Sequence, residues 1–125
     1  MRRRLLPAAL VAGVLSGAPS TLHAIVTGRT VLTTVRAAGE LLGRPTIVRG
    51  IVAHGLLTVG WTCVLVTVLP GRNAVVWGAV AGGTIAALDL AIADRRFPAI
   101  AALPRLPQVA DHLLFGALVG AVRYR

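Results

Sequence analysis

Five side chains able to carry proton or metal chemistry lie within or at the edge of apolar stretches: His23, His54, Asp89, Asp111 and His112. An ionisable group inside a long apolar run is costly and as a rule turns toward the protein interior. Imidazole and carboxylate are suitable ligands for a divalent metal such as zinc. They equally suit a proton relay, since histidine titrates near neutral pH and a carboxyl in apolar surroundings resists ionisation. A third reading is a network of interhelical hydrogen bonds with one Arg–Asp pair, which fixes the fold and does nothing else. No two of the five share an i, i+3 or i, i+4 spacing on one helix, the pattern that would sharpen the metal reading. Asp111 and His112 are adjacent and point ~100° apart on a helix, so at most one is central. The chain lacks a glycine-rich phosphate loop, a Gly-x-Ser-x-Gly turn and a His-Glu-x-x-His helix. Ser16 and Ser20 with His23 would make a nucleophile and base, but serines in apolar helices usually bond their own backbone. The sequence is not read as an enzyme.

The elements that must position these groups are long and apolar. Hydrophobic residues make up 56% of the 125, and the mean hydropathy is +0.81, too apolar for a soluble domain of this size. A spanning helix needs ~20 apolar residues. Four stretches qualify: residues 5–26, 47–69, 75–93 and 107–122, the last being short. The expectation is one all-α domain, a transmembrane four-helix bundle. Thirteen basic residues, every one an arginine, stand against four acids. They fall between the apolar runs and aromatics are scarce, which suits the flanks of a bilayer and not a nucleic-acid surface. Cys63 is alone, so there is no disulfide framework, and it reads as a small packing residue.

Arg2, Arg3 and Arg4 ahead of an apolar run resemble a secretory signal, with Ser16-Gly17-Ala18 as its cleavage site. Pro19 would block cleavage there, so the first span is expected to remain as a helix. Residues 30–42 place Val31, Leu32, Val35, Ala38, Leu41 and Leu42 opposite Thr33, Arg36 and Glu40. That spacing predicts an amphipathic helix at the membrane interface, or a short extension packed on the bundle. Pro98, Pro104 and Pro107 forbid a long regular helix between the third and fourth spans, so residues 97–103 should dip into the interface. Arginines divide almost evenly between the two sides: Arg2, Arg3, Arg4, Arg72, Arg123 and Arg125 against Arg29, Arg36, Arg44, Arg95, Arg96 and Arg105, with Arg49 just inside the second span. The charged start favours cytoplasmic termini, and the near-tie keeps a dual-topology dimer open.

All five ionisable groups lie near helix ends that open on one side of the membrane, ~5–10 Å deep at ~1.5 Å per residue. They are therefore expected to converge in one leaflet, with Arg49 placed to reach Asp89 or Asp111. Four of them lie in line with small or polar residues: Ser16 and Ser20 with His23, Gly50, Thr58 and Trp61 with His54, Gly82 and Ala86 with Asp89, Gly116 and Gly120 with His112. Gly13 and Gly17, Gly78 and Gly82, and Gly116 and Gly120 have the four-residue spacing that lets membrane helices approach closely. Gly55 and Gly60 extend a weaker row on the second span.

The segments Gly17-Ala18-Pro19-Ser20-Thr21 with His23, Ala53-His54, Leu88-Asp89, Arg95-Arg96-Phe97-Pro98, Pro107-Gln108, Ala110-Asp111-His112 and Phe115-Gly116 resemble a group of small uncharacterised actinobacterial membrane proteins. The arginine, alanine, glycine and valine bias points the same way, to a GC-rich genome. A more distant similarity is to YagU-type inner-membrane proteins, with a histidine in a middle span and another before an aromatic–glycine step in the last. Neither resemblance implies an activity. Small multidrug exporters have a glutamate in the first span, which is missing here. Fluoride channels have a phenylalanine-rich segment that the third span lacks. The sequence thus reads as a multi-pass protein of a bacterial inner membrane, a structural or interaction protein, homo-oligomeric or bound to other membrane proteins. The alternative is a minimal proton, ion or small-solute transporter or channel. It carries no cofactor in either reading, unless a divalent metal occupies the His/Asp cluster.

Overall fold

A computed structural model describes residues 2–123, with side chains from residue 5 onward. Arg125 and the side chains of Arg2, Arg3 and Arg4, which enter the charge comparison, lie outside the described residues. Those residues are helical throughout their ordered elements, with no strand among them. Helices α1 (Arg2–Leu15) and α2 (Ala18–Val26) lead to α3 (Leu32–Ala38), which passes into a 3-10 turn at Gly39–Leu42. Then come α4 (Ile47–Val68), α5 (Ala74–Arg96), the single turn α6 (Pro98–Ala101) and α7 (Arg105–Arg123).

Three segments are long and apolar enough to cross a membrane: Leu5–Val26, Ile47–Val68 and Ala74–Arg96. Only 22% of each is buried inside the protein, so their outer surfaces of leucine, isoleucine and valine need an apolar surrounding. Helix α7 has the length, but its first half carries Arg105, Gln108, Asp111 and His112 and is too polar to join this group. It is instead the helix around which the others assemble, in contact with α1, α2, α4 and α5.

Two boundaries move from their expected positions for reasons of backbone chemistry. The third long helix continues to Arg96, where Arg95 and Arg96 in the last turn oppose the negative end of the helix dipole. The last helix starts at Arg105, because Pro107 falls in its first turn, where an N–H would have no helical partner anyway. The larger departure is in the first span. It is not one helix; Ser16 and Gly17 form a turn between α1 and α2. Proline at position 19 has no N–H to offer Leu15, and Gly17 becomes the cap of the second half.

The packing is closest between α5 and α7, which run antiparallel. A Cβ placed on Gly78 would strike the carbonyl of Gly116, one on Gly82 that of His112, one on Gly116 that of Gly78, and one on Gly120 that of Ala74. Backbone lies against backbone along three turns, as expected where association in lipid depends on close approach. Gly13 meets the Thr58 Cγ2 atom at 2.8 Å from such a Cβ, bringing α4 against α1. Gly17 does not serve this purpose; nothing lies within 4 Å of its added Cβ. Nor do Gly55 and Gly60, which face open space, and Cys63 beside them is exposed, contrary to its expected packing role. On α4 the close approach is at Gly50, whose Cβ would strike the Val35 carbonyl of α3. The apolar core lies farther along, formed by Ala12, Leu65, Leu69, Ile85, Phe115 and Val119. Arg123 closes that end, donating from Nη1 to the Leu69 carbonyl at 2.5 Å and the Leu65 carbonyl at 3.4 Å, the last acceptors of α4.

Gly116→Ala should therefore lower stability by about 1–3 kcal/mol, because the atom it meets is backbone and cannot rotate away. Gly55→Ala should be neutral or stabilise by about 0.5–1 kcal/mol, since the space is open and glycine costs a helix entropy. Thermal unfolding of the two variants in detergent checks the contrast.

Candidate functional site

The break in the first span creates the chemistry around it. A helix start in an apolar environment presents backbone N–H groups that no water can satisfy, and it carries the positive end of the helix dipole. Ser20 is the third residue of α2, and its N–H donates to Oδ1 of Asp111 at 2.9 Å. Its hydroxyl donates to Oδ2 of the same carboxylate. Asp111 thus caps α2 from a different helix, 91 positions away in sequence. Both oxygens are engaged by Ser20 at the positive end of α2, a position that favours a carboxylate.

The other side of the break is served from α4. The carbonyl of Gly13 accepts from Nε2 of His54 at 3.0 Å. A carbonyl can only accept, so Nε2 carries the hydrogen and, in the neutral ring, Nδ1 is left as an acceptor. The tight approach of Gly13 to Thr58, one turn along α4, sets the distance that His54 spans.

Asp89 and His112 meet between α5 and α7. The Nδ1–H of His112 donates to the Gln108 carbonyl one turn back at 2.7 Å. Its Nε2 stands 3.3 Å from Oδ2 of Asp89. The Cα–Cβ bond of a helical residue leans toward the N-terminus, so His112 reaches past Gln108 to a partner lying beyond the glycine contact. With Nδ1 committed as a donor, Nε2 of a neutral ring would be a bare lone pair facing a carboxylate oxygen. The pair must hold one further proton, as imidazolium and carboxylate or as imidazole and carboxylic acid.

Four of the five ionisable groups, His54, Asp89, Asp111 and His112, line one cavity of about 610 Å³. Ser16, Ser20, Thr58 and Trp61 add polar atoms, while Val35, Leu57, Ile85 and Phe115 supply much of the apolar wall. α3 roofs it with Val35, Ala38 and Leu41. Gly17 lines the cavity too, because its missing side chain leaves that volume empty.

Two expected members lie elsewhere. Arg49 does not reach Asp89 or Asp111; its Nη1 donates to the Leu42 carbonyl at 3.0 Å, closing the 3-10 turn. His23 is half-buried in the last turn of α2 and does not line the cavity; its carbonyl accepts from the Thr27 hydroxyl at 2.7 Å. The break turns α2 so that Ala24, and not His23, is the buried residue of that turn. Ser20 is committed to Asp111, so the pairing of Ser16 or Ser20 with His23 is not formed. Glu40, assigned by its spacing to the polar face of the 30–42 segment, is half-buried and accepts from the N–H groups of Ala99 at 2.8 Å and Ile100 at 3.4 Å. It caps α6 across the two connections. The available signal was a lone acid in one connection and Pro98, a helix-starting residue, in the other.

Among the described residues no group of three or more His, Cys, Asp or Glu side chains is placed to hold a metal ion. The ionisable groups engage in pairs with backbone, with Ser20 or with each other. No family model, curated protein or solved structure matches the chain.

Asp111→Ala should destabilise the protein by about 1.5–3 kcal/mol, the range for a hydrogen bond to a charged group. Asp111→Asn, which keeps one oxygen for the Ser20 N–H, should lose less. In a double-mutant cycle with Ser20→Ala the double variant should lose less than the sum of the two single losses, and strict additivity would exclude the contact.

Proposed function

We propose that this chain is a multi-pass protein of a bacterial inner membrane, crossing four times with α7 as its central span, and that it binds a small, mainly apolar solute in its cavity. The observation that carries the binding reading is the unfilled volume beside four ionisable side chains. The volume is a partly open cleft between helices, a common setting for a ligand site. The hydrogen-bond network by itself would equally suit a structural or interaction protein. The cavity favours solute binding or transport, and its size falls within the ~300–1,000 Å³ common to organic-ligand sites. Apolar walls with a few polar groups at one end are also typical of such sites.

The four-span topology rests on α7 being enclosed by neighbours on several sides. Polar residues that would exclude it from lipid contact face α2 and α5 instead. A homo-oligomer is the expected assembled state, with the α4 surface around Gly55 and Gly60 available to a second copy. The resemblance to small actinobacterial membrane proteins and, distantly, to YagU-type proteins agrees with the cellular setting and adds no activity.

The test uses Trp61, which lines the cavity, in a Trp77→Phe background within lipid nanodiscs. Energy transfer from Trp61 to the uncharged fluorophore N-phenyl-1-naphthylamine should saturate at stoichiometric protein. Gly17→Leu extends a side chain into open space at a backbone conformation (φ −77°) that any residue accepts. It should abolish the saturable signal in a protein that stays folded, at a cost of about 1 kcal/mol at the cap. Equal transfer in both proteins, or none in either, would overturn the reading.

A further inference from the structure

The charge within the cavity defines what it would take. The chain has thirteen arginines, and none of those whose side chains are described lines the cavity. Among the described residues its ionisable lining is His54, Asp89, Asp111 and His112. Asp111 accepts from the Ser20 N–H and pairs with its hydroxyl. His54 donates from Nε2 to a carbonyl. His112 and Asp89 together hold one proton and sum to zero. Two carboxyl groups thus share the lining with no arginine among the described residues to offset them, and an uncompensated charge in an apolar setting is expensive.

The other charged groups around Asp89 supply no such offset. On its own helix Asp94 is held by Arg105 at 2.8 Å, and Arg95 and Arg96 are exposed. From α7 His112 contacts it, and Asp111 and, from α4, His54 line the same cavity. On the α3 side Arg36 is exposed and Glu40 is spent on α6, while Arg49 is turned onto Leu42. α2 contributes Ser20 but no ionisable group to the cavity.

We propose that the cavity binds an amphipathic monovalent organic cation in exchange for the proton held between Asp89 and His112. This rests on the solute-binding reading above and names the solute class. Asp89 is the acceptor because only its Oδ2 is engaged, whereas Asp111 has both oxygens committed to Ser20. Trp61 lines the same space and offers an aromatic face, which attracts a cation through its quadrupole. The apolar walls select a ligand with a hydrophobic body over a bare metal ion. The exchange balances: the cation pairs with the Asp89 carboxylate and the shared proton leaves to solvent. His112 is left as a neutral ring, still donating from Nδ1 to Gln108 while Nε2 keeps its lone pair. Since binding releases a proton, affinity rises with pH, by up to about tenfold per unit while the free pair holds its proton.

Tetraphenylphosphonium and its anionic counterpart tetraphenylborate, nearly alike in shape, test the sign of charge. Calorimetry of the nanodisc protein in two buffers of different ionisation enthalpy should give about one proton released per phosphonium bound. Tetraphenylborate should bind at least tenfold more weakly. Asp89→Asn should abolish proton release, flatten the pH dependence and weaken phosphonium at least tenfold, while still binding the uncharged fluorophore, which shows that it is folded. Phosphonium binding without proton release, or equal binding of the borate, would overturn the exchange and leave the solute-binding reading standing. Loss of both phosphonium and fluorophore binding in the wild-type protein would overturn both.

Discussion

A backbone N–H or C=O without a partner in hydrocarbon costs several kcal/mol, so a membrane helix can be interrupted only where other groups take up the bonds it drops. The interruption at Ser16 and Gly17 is tolerated because a carboxylate from α7 receives the Ser20 N–H and an imidazole from α4 reaches the Gly13 carbonyl. Much of the site follows from that requirement. It holds Asp111 and His54 at one level of the protein and draws α7 and α4 toward the first span. The turned α2 and the bare Gly17 then leave a cavity between them. The same feature that would be a defect in a rod-like span thus organises the polar half of the molecule.

Rigidity comes from a second constraint. Glycines on α5 and α7 bring two backbones into contact along three turns, so Asp89 and His112 are set by main-chain packing and not by flexible side chains. At the far end Arg123 caps α4, and above the cavity Glu40 ties the 3-10 turn to α6. One end of the protein is thus close-packed around Leu65, Phe115 and Val119, and the other contains space and exchangeable hydrogens. Nearly all the ionisable side chains found within apolar helices lie at that second end.

Much of this was legible in the sequence, for a simple reason. Ionisable residues are rare in apolar runs, so His54, Asp89, Asp111 and His112 stood out by type, and counting residues from the helix ends put them at one depth. The facing pairs Gly78–Gly82 and Gly116–Gly120 were legible from spacing as well. Pairings were not. Arg49 lies one turn from His54 on paper, but its guanidinium goes to the open carbonyl of a 3-10 turn whose form depends on tertiary packing. His23 shared a stripe with Ser16 and Ser20 only if the first span were continuous. Pro19 was visible in the sequence, yet its consequence for helix register could be known only once the capping carboxylate from residue 111 was in place. Glu40 had a polar-face spacing and a buried role, because its partner lies in the other connection. Periodicity reports which face a residue occupies and says nothing about which distant backbone needs a cap.

The most direct measurement of this account is the dipolar coupling between the Ser20 amide nitrogen and the Asp111 carboxyl carbon, by solid-state magnetic resonance on protein in lipid bilayers. A nitrogen 2.9 Å from Oδ1 requires a measurable coupling, together with a departure from helical shifts at the Gly17 cap. A vanishing coupling, with helical shifts running unbroken through residues 15–20, would contradict it.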